Sequence, residues 1–126
     1  MLEHIIDFIA YTLSIFFGEG DGLLYALVLF VLLDYATGIC DAIYHHRLSS
    51  SIGAKGIAKK AIIFLAGSVA HVTDQYLMDA NNVLRNVTLF FYLSNECISI
   101  FENVGRLGIP LPTQLEGALK YLKKKS

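Results

Sequence analysis

The chain has 126 residues, of which 55% are hydrophobic and only 17% are charged, and its mean hydropathy is +0.54. Small domains are mostly surface, so a water-soluble domain of this size needs more charge to cover itself, and the length leaves no room for two independent domains. The net charge of −1 argues against a nucleic-acid partner, which would require a basic stripe. From the length and the high apolar content we expect one small integral membrane domain spanning residues 1–126.

The apolar residues come in long runs rather than in alternation, which predicts an all-α chain. Breaks at glycine, proline and polar clusters divide it into four helices of about 2–17, 23–45, 58–78 and 83–104. A short amphipathic helix is expected in the basic C-terminal tail, 113–126, where Thr113 and Glu116 have capping-box spacing after Pro112. A disordered tail is the alternative, since so short a helix is weak by itself.

The lengths of these helices decide which of them can cross a bilayer. A spanning helix needs about 20 residues; the second predicted helix meets this comfortably, and the third and fourth meet it with short margins. The first carries Glu3, Asp7, Tyr11 and Ser14 on one face, so it either spans as part of a bundle or lies in the membrane interface. We therefore expect three to four membrane helices plus the short C-terminal helix.

Basic residues set the expected orientation, because Lys and Arg stay on the cytoplasmic side of a membrane. They concentrate in the loop between the second and third helices and in the tail, and we interpret them as cytoplasmic basic anchors: Arg47, Lys55, Lys59, Lys60, Lys120, Lys123, Lys124 and Lys125. This places the C-terminus in the cytoplasm and the 79–86 turn outside. The N-terminus is inside if the first helix spans and outside if it does not. Each tail lysine near anionic lipid adds roughly 1 kcal/mol of binding.

Polar residues recur at spacings of three or four within the otherwise apolar helices. We interpret them as a stripe that lines a pore or packs helices together: Asp34, Thr37, Gly38, Asp41, His71, Asp74, Asn95, Glu96, Ser99, Glu102 and Asn103. An ionised carboxylate at the centre of a lone helix costs roughly 2.5–3.5 kcal/mol, so these acids must face one another, face water or be protonated.

The partners of these acids remain open at this point. With Lys59 and Lys60 assigned to the loop between the second and third helices, no Lys or Arg lies within the helices to pair with these acids; the candidates are only His71, and Arg85 and Arg106 at the helix ends. We therefore expect the stripes to meet water when chains assemble, as in a pore lining. The alternative is a closed bundle in which protonated, hydrogen-bonded acids hold the helices together.

No catalytic, cofactor or metal site is predicted, and the chain is not expected to be an enzyme. His71 and Asp74 lie one helical turn apart and have the chemistry of a base or a metal ligand. A second ligand at suitable spacing is missing, however, as are GxSxG and HExxH motifs, so we interpret His71 as a packing or hydrogen-bonding residue. Cys40 and Cys97 form no CxxC pair.

Several segments share a pattern with a known family. They are Asp34-Tyr-Ala-Thr-Gly38, the segment from Leu48 to Lys60 with its Ser-Ile-Gly and Lys-Gly-Ile steps, the fourth helix from Phe91 to Asn103, and the tail from Gly108 to Leu119. Taken together, they resemble the toxin-secretion/phage-lysis holin family (bacteriophage holin family 4-like). The resemblance implies a multi-pass protein of the bacterial cytoplasmic membrane that forms homo-oligomers and then pores or lesions. An endolysin or a secreted toxin then leaves the cytoplasm through these openings, and cytolysis results. The implied partners are further copies of the chain, membrane lipids, the endolysin or toxin, and an antiholin.

Three other functions fit the same composition. A non-lytic small channel or transporter subunit would pass only ions or small solutes. An antiholin-like regulator of the same fold would delay another holin without opening itself. A soluble helical bundle would be extracted from cells without detergent.

Overall fold

The structure is a computed structural model that describes residues 1–18, 20–78 and 81–125, with the side chains of 122–125 left out. The described residues confirm an all-helical chain. Its helices are α1 (Leu2–Phe17), α2 (Gly22–Tyr44), α3 (Ser50–Val72), which continues as a π-helical segment (Thr73–Met78), α4 (Val83–Arg106) and α5 (Thr113–Lys125). The predicted tail helix therefore begins at Thr113 as expected, and Ser126 lies outside the described residues.

The start of α3 differs from the prediction of about 58. Ser49 caps this helix by accepting a hydrogen bond from the backbone N–H of Ile52 at 3.2 Å, so the helix begins at Ser50. Serine and glycine are weak helix formers, which is why the pattern alone placed the start later. Tertiary packing overrides this propensity: an added Cβ at Gly56 would lie 3.2 Å from Cε2 of Tyr35, so the absence of a side chain lets the ring of Tyr35 lie against α3.

The helices pack around α4. Helix α2 packs along α4, α3 packs on α4 beside it, and α1 packs on α3. The apolar core is small and is formed by Leu27, Val31, Ile63 and Leu89. Gly67 of α3 permits this packing, since a Cβ there would lie 2.9 Å from Cδ2 of Leu89.

The distribution of polar and apolar side chains is the reverse of that in a water-soluble protein. The buried residues are as often polar or charged as apolar, whereas large apolar side chains such as Ile62, Leu65 and Phe90 are each about 60% exposed. Two helices, Gly22–Tyr44 and Ser50–Met78, are long and apolar enough to cross a membrane, and only 17% and 22% of their apolar windows are buried. The core helix of a soluble protein would bury most of that surface, so the exposed apolar faces are those of a membrane protein.

The end of α1 depends on a glycine. Gly18 has φ +78°, a left-handed conformation, and an added Cβ would lie 2.9 Å from Cε1 of His71. Gly18→Ala is therefore expected to destabilise the chain by about 1 kcal/mol or more. Gly22→Ala is the matched control, because nothing lies within 4 Å of a Cβ there. Thermal unfolding in detergent, followed by circular dichroism, compares the two variants; an equal loss in both would contradict this account of Gly18.

Candidate functional site: a polar interior between apolar helices

Side chains from three helices meet inside the bundle in what we call the central polar cluster: Asp34 of α2, Lys60 of α3, and Glu96, Ser99 and Asn103 of α4. The ammonium group of Lys60 contacts the carboxylate of Asp34 and donates to Oε2 and Oε1 of Glu96 at 2.8 and 3.1 Å. Ser99 and Asn103 donate to Oδ1 of Asp34 at 2.7 and 2.9 Å. One cation thus ties together acids from the two neighbouring helices.

The amide of Asn103 extends this cluster along α2. Its Nδ2 also donates to Oγ1 of Thr37 at 2.9 Å and to the backbone oxygen of Asp34 at 3.2 Å. Gly38 lies alongside, where an added Cβ would be 3.6 Å from the same nitrogen. The Asp34–Gly38 segment therefore provides the acid, the hydroxyl and the small residue that receive one amide of α4.

A second group of charges surrounds Asp41, which is 3% exposed near the end of α2. Its Oδ2 accepts from Arg47 at 2.6 Å and from Arg106 at 3.0 Å, and its Oδ1 lies 2.8 Å from Nδ1 of His45. Arg106 also donates to Oδ1 of Asn103 at 2.5 Å. This group is therefore joined to the central polar cluster through one asparagine.

Arg85 organises the opposite end of the bundle and is only 3% exposed. It donates to the backbone oxygen of Phe17 at 2.9 Å, to the carboxylate of Asp21 at 2.9 and 3.2 Å, and to Asn86 at 2.9 Å. The hydrogen bond from Arg85 is the main cause that lowers the pKa of Asp21 below its ordinary value of 3.8. The contribution of this pair to stability is therefore present above pH 3.8 and is lost as the pH falls through the lower folded-state pKa.

Asp74 and His71 also lie at this end. The carboxylate of Asp74, 1% exposed, accepts from the backbone N–H groups of Leu84 and Arg85 at 3.1 and 2.6 Å and so caps α4 from outside that helix. His71 is 6% exposed, and its Nδ1 has no hydrogen-bond partner among the described residues. Its ring borders a cavity of about 600 Å³ that is also lined by Tyr11.

The predicted stripe is thus divided into three places. The central group contains Asp34, Thr37, Glu96, Ser99 and Asn103, with Gly38 beside them. The next group contains Asp41 and Glu102, and Glu102 lies 3.8 Å from Arg106. The group at the far end of the bundle contains His71 and Asp74. Asn95 is separate from all of these, because it is exposed on the outer face of α4.

The predicted basic anchors are divided in the same way. The expectation that no Lys or Arg within a helix pairs with the acids is wrong, because Lys60 lies on the buried side of α3 and contacts Asp34 and Glu96. Arg106, a candidate at the end of α4, does pair with Asp41 and Glu102. Lys55 and Lys59 are exposed on α3, and Lys120 is exposed on α5. The side chains of Lys123, Lys124 and Lys125 lie outside the described residues.

Sequence reasoning missed the pairing of Lys60, but the sequence contains a signal for it. Once α3 is extended back to Ser50, one face carries residues at spacings of three and four: Gly53, Gly56, Lys60, Ile63, Gly67, Ala70 and Asp74. The small and buried members mark the face that packs on neighbouring helices, and Lys60 is the one cation on it. The pairing of Arg106 with Glu102 has the i,i+4 spacing of a helix, whereas the pairings of Arg85 with Asp21 and of Arg106 with Asp41 join positions far apart in the chain.

An apolar exterior around an ion-paired, hydrogen-bonded interior defines a helical membrane protein. A model of the bacteriophage holin family matches residues 11–124, and the chain belongs to that family, which is not a family of enzymes. It is 37% identical to an uncharacterized 14.9 kDa protein of Clostridium perfringens over 98% of this chain and 99% of the relative. It is 41% identical to an uncharacterized protein of Listeria monocytogenes over 87% and 78%. It is 35% identical to a probable holin of Bacillus phage phi105 over 85% and 78%. No solved structure matches the chain.

Proposed function

We propose that this chain is a holin that oligomerises in the bacterial cytoplasmic membrane and opens pores or lesions that release an endolysin or a toxin, leading to cell lysis. The family match supports the holin role, and the similarity to a probable phage holin supports the link to lysis. The observation that carries the mechanism is the Asp34–Lys60–Glu96 cluster, which joins three helices through buried charge.

The same cluster supports a topology. Helix α4 is more polar than α2 and α3, yet Glu96 in its middle pairs with Lys60 of α3. We therefore place α4 beside the two apolar helices as a third span, with α1 either as a fourth span or in the interface. The C-terminus and the Arg47–Lys55 region then lie in the cytoplasm, since two spans separate them and both are basic.

The proposed mechanism begins with a closed chain and ends with an open assembly. In the single chain the central polar cluster has one cation for two carboxylates, so a negative charge or an extra proton stays buried at a cost. Assembly of many copies would let the helices separate. The polar side chains of the stripe, such as Asp34, Glu96 and Asn103, would then face water instead of one another. A charge that moves through the membrane field changes its energy by roughly 2.3 kcal/mol per 100 mV, so loss of membrane potential is a suitable trigger.

Co-expression with a cytoplasmic endolysin tests the function directly. A holin releases the endolysin abruptly at a set time, and cell density falls. Ion leakage without endolysin release would identify a small channel instead, and delayed lysis by a second holin would identify an antiholin-like regulator. A chain recovered in the soluble fraction without detergent would exclude all three.

Neutralising Glu96 tests the mechanism. Glu96→Gln is expected to delay lysis, because the variant buries less charge in the closed chain and gains less when the cluster meets water. Glu102→Gln is the matched control: its side chain is 25% exposed and lies 3.8 Å from Arg106, so a smaller shift is expected. Lysis time is measured at equal membrane levels of each protein. Unchanged timing in Glu96→Gln would remove the cluster from the mechanism.

A further inference from the structure

The polar residues of helix α4 differ in exposure. Glu96, Ser99 and Asn103 point into the bundle, whereas Asn95 is exposed at the edge of this polar face, about 100° of helical rotation from Glu96 and beside apolar residues. Phe91 and Val87 on this outer face are 57% and 61% exposed. The side chain of Asn95 makes no hydrogen bond within the described part of the chain, although its neighbour Ser94 donates to the backbone oxygen of Phe90 at 3.0 Å.

The depth of Asn95 makes this exposure costly. Helix α4 has 24 residues, and Asn95 lies about 18 Å from its first residue at 1.5 Å per residue, which is close to the middle of the helix. With α4 as a span, hydrocarbon surrounds this position, and acyl chains offer no partner for the two N–H donors and one carbonyl acceptor of an amide. At similar depth, the exposed faces of α2 and α3 carry apolar residues such as Leu32 and Leu65.

We propose that the outer face of α4 around Asn95 is the surface through which one copy of this chain binds a second copy in the membrane. A shallow groove there is lined by apolar residues such as Phe91 and Ile98 and by three polar residues, Asn86, Ser94 and Asn95. A soluble partner does not reach the middle of a bilayer, and lipid tails do not satisfy the amide. A two-fold-related copy supplies the same amide with both a donor and an acceptor, so the surface is complementary to itself. This inference rests on the proposed assembly in the membrane, but not on lysis.

Association in vesicles provides the first test. The full chain is labelled with donor and acceptor dyes and reconstituted into phosphatidylcholine–phosphatidylglycerol vesicles, where energy transfer reports self-association. Asn95→Leu is expected to weaken association about tenfold, whereas Asn95→Gln, which keeps the amide, and Ser94→Ala, whose hydroxyl bonds within its own helix, stay within about twofold. Association of Asn95→Leu at native strength would overturn the proposal. Unchanged helicity and thermal unfolding in detergent exclude misfolding of this variant, as expected for an exposed Asn95 that makes no hydrogen bond with the described residues.

Cross-linking provides a second, independent test that leaves the amide in place. In a chain carrying Cys40→Ala and Cys97→Ala, the variants Phe91→Cys and Ile98→Cys are expected to form disulfide dimers on mild oxidation, at least fivefold faster than Leu65→Cys on the exposed face of α3. Equal rates at Leu65→Cys would place the contact elsewhere.

Loss of association in Asn95→Leu without any lysis by the native chain would uphold the surface and overturn the holin function. Lysis by the native chain together with unchanged association in Asn95→Leu would support the holin function and overturn the proposed surface.

Discussion

Replacement of Lys60 by Met is expected to destabilise the closed chain by about 3 kcal/mol and to advance lysis. The substitution removes the one cation that contacts both Asp34 and Glu96 and leaves two carboxylates facing each other inside the bundle. Breaking a buried ion pair typically costs about 3–5 kcal/mol, and we take the lower end because the side chain of Lys60 is 20% exposed. Thermal unfolding in detergent measures the stability, and the time of lysis in cells measures the opening.

Lys59→Met is the matched control for this prediction. It removes the same charge from the adjacent position, but Lys59 is exposed and forms no ion pair with the described residues, so an effect of about 1 kcal/mol or less is expected. Equal effects of the two substitutions would show that loss of a basic anchor, rather than loss of the cluster, changes the behaviour of the chain.

A double variant separates the cluster from the single residue. If Lys60 acts by compensating Glu96, then Lys60→Met combined with Glu96→Gln is expected to be more stable than Lys60→Met alone, because only one buried acid remains. The coupling between the two sites is measured as the departure from additivity in a double-mutant cycle. Strict additivity would contradict the ion pair.

The helices themselves were predictable where long apolar runs meet strong breaks. Helix α1 ends at Phe17 before a glycine-rich turn, as the sequence indicates, and α4 ends at Arg106, two residues after the predicted end at 104. The start of α3 was not predictable from local signals, because Gly53 and Gly56 disfavour a helix by themselves. They are helical because Tyr35 packs against them, and that contact joins positions far apart in the chain.

Periodicity also leaves the inward face of a helix ambiguous when polar residues are adjacent. Asn95 and Glu96 both fit a stripe with spacings of three and four, but about 100° of helical rotation separates them. Packing of α4 on α2 turns Glu96 inward and Asn95 outward. Periodicity therefore groups Asn95 with Glu96, whereas the structure places one on an exposed surface and the other in a buried cluster.

Arg85→Met is expected to destabilise the chain by about 1–3 kcal/mol and to loosen the turn between α1 and α2. Arg85 is the only described residue that donates both to the end of α1, at the backbone oxygen of Phe17, and to the cap of α2, at Asp21. Its removal leaves the carbonyl of Phe17 without this donor, and it leaves the 48% exposed carboxylate of Asp21 to water. Limited proteolysis at the turn and thermal unfolding measure the two effects.

Arg47→Met tests whether burial is the reason for the size of this effect. Arg47 also pairs with an aspartate, at 2.6 Å from Asp41, but its side chain is 54% exposed. Solvent screens such a pair, and Asp41 keeps Arg106, so a loss of about 1 kcal/mol or less is expected. The two arginines would then differ in their contribution to stability, because the guanidinium of Arg85 is 3% exposed and that of Arg47 is 54% exposed. Similar losses in both variants would show that the fold does not depend on the burial of Arg85.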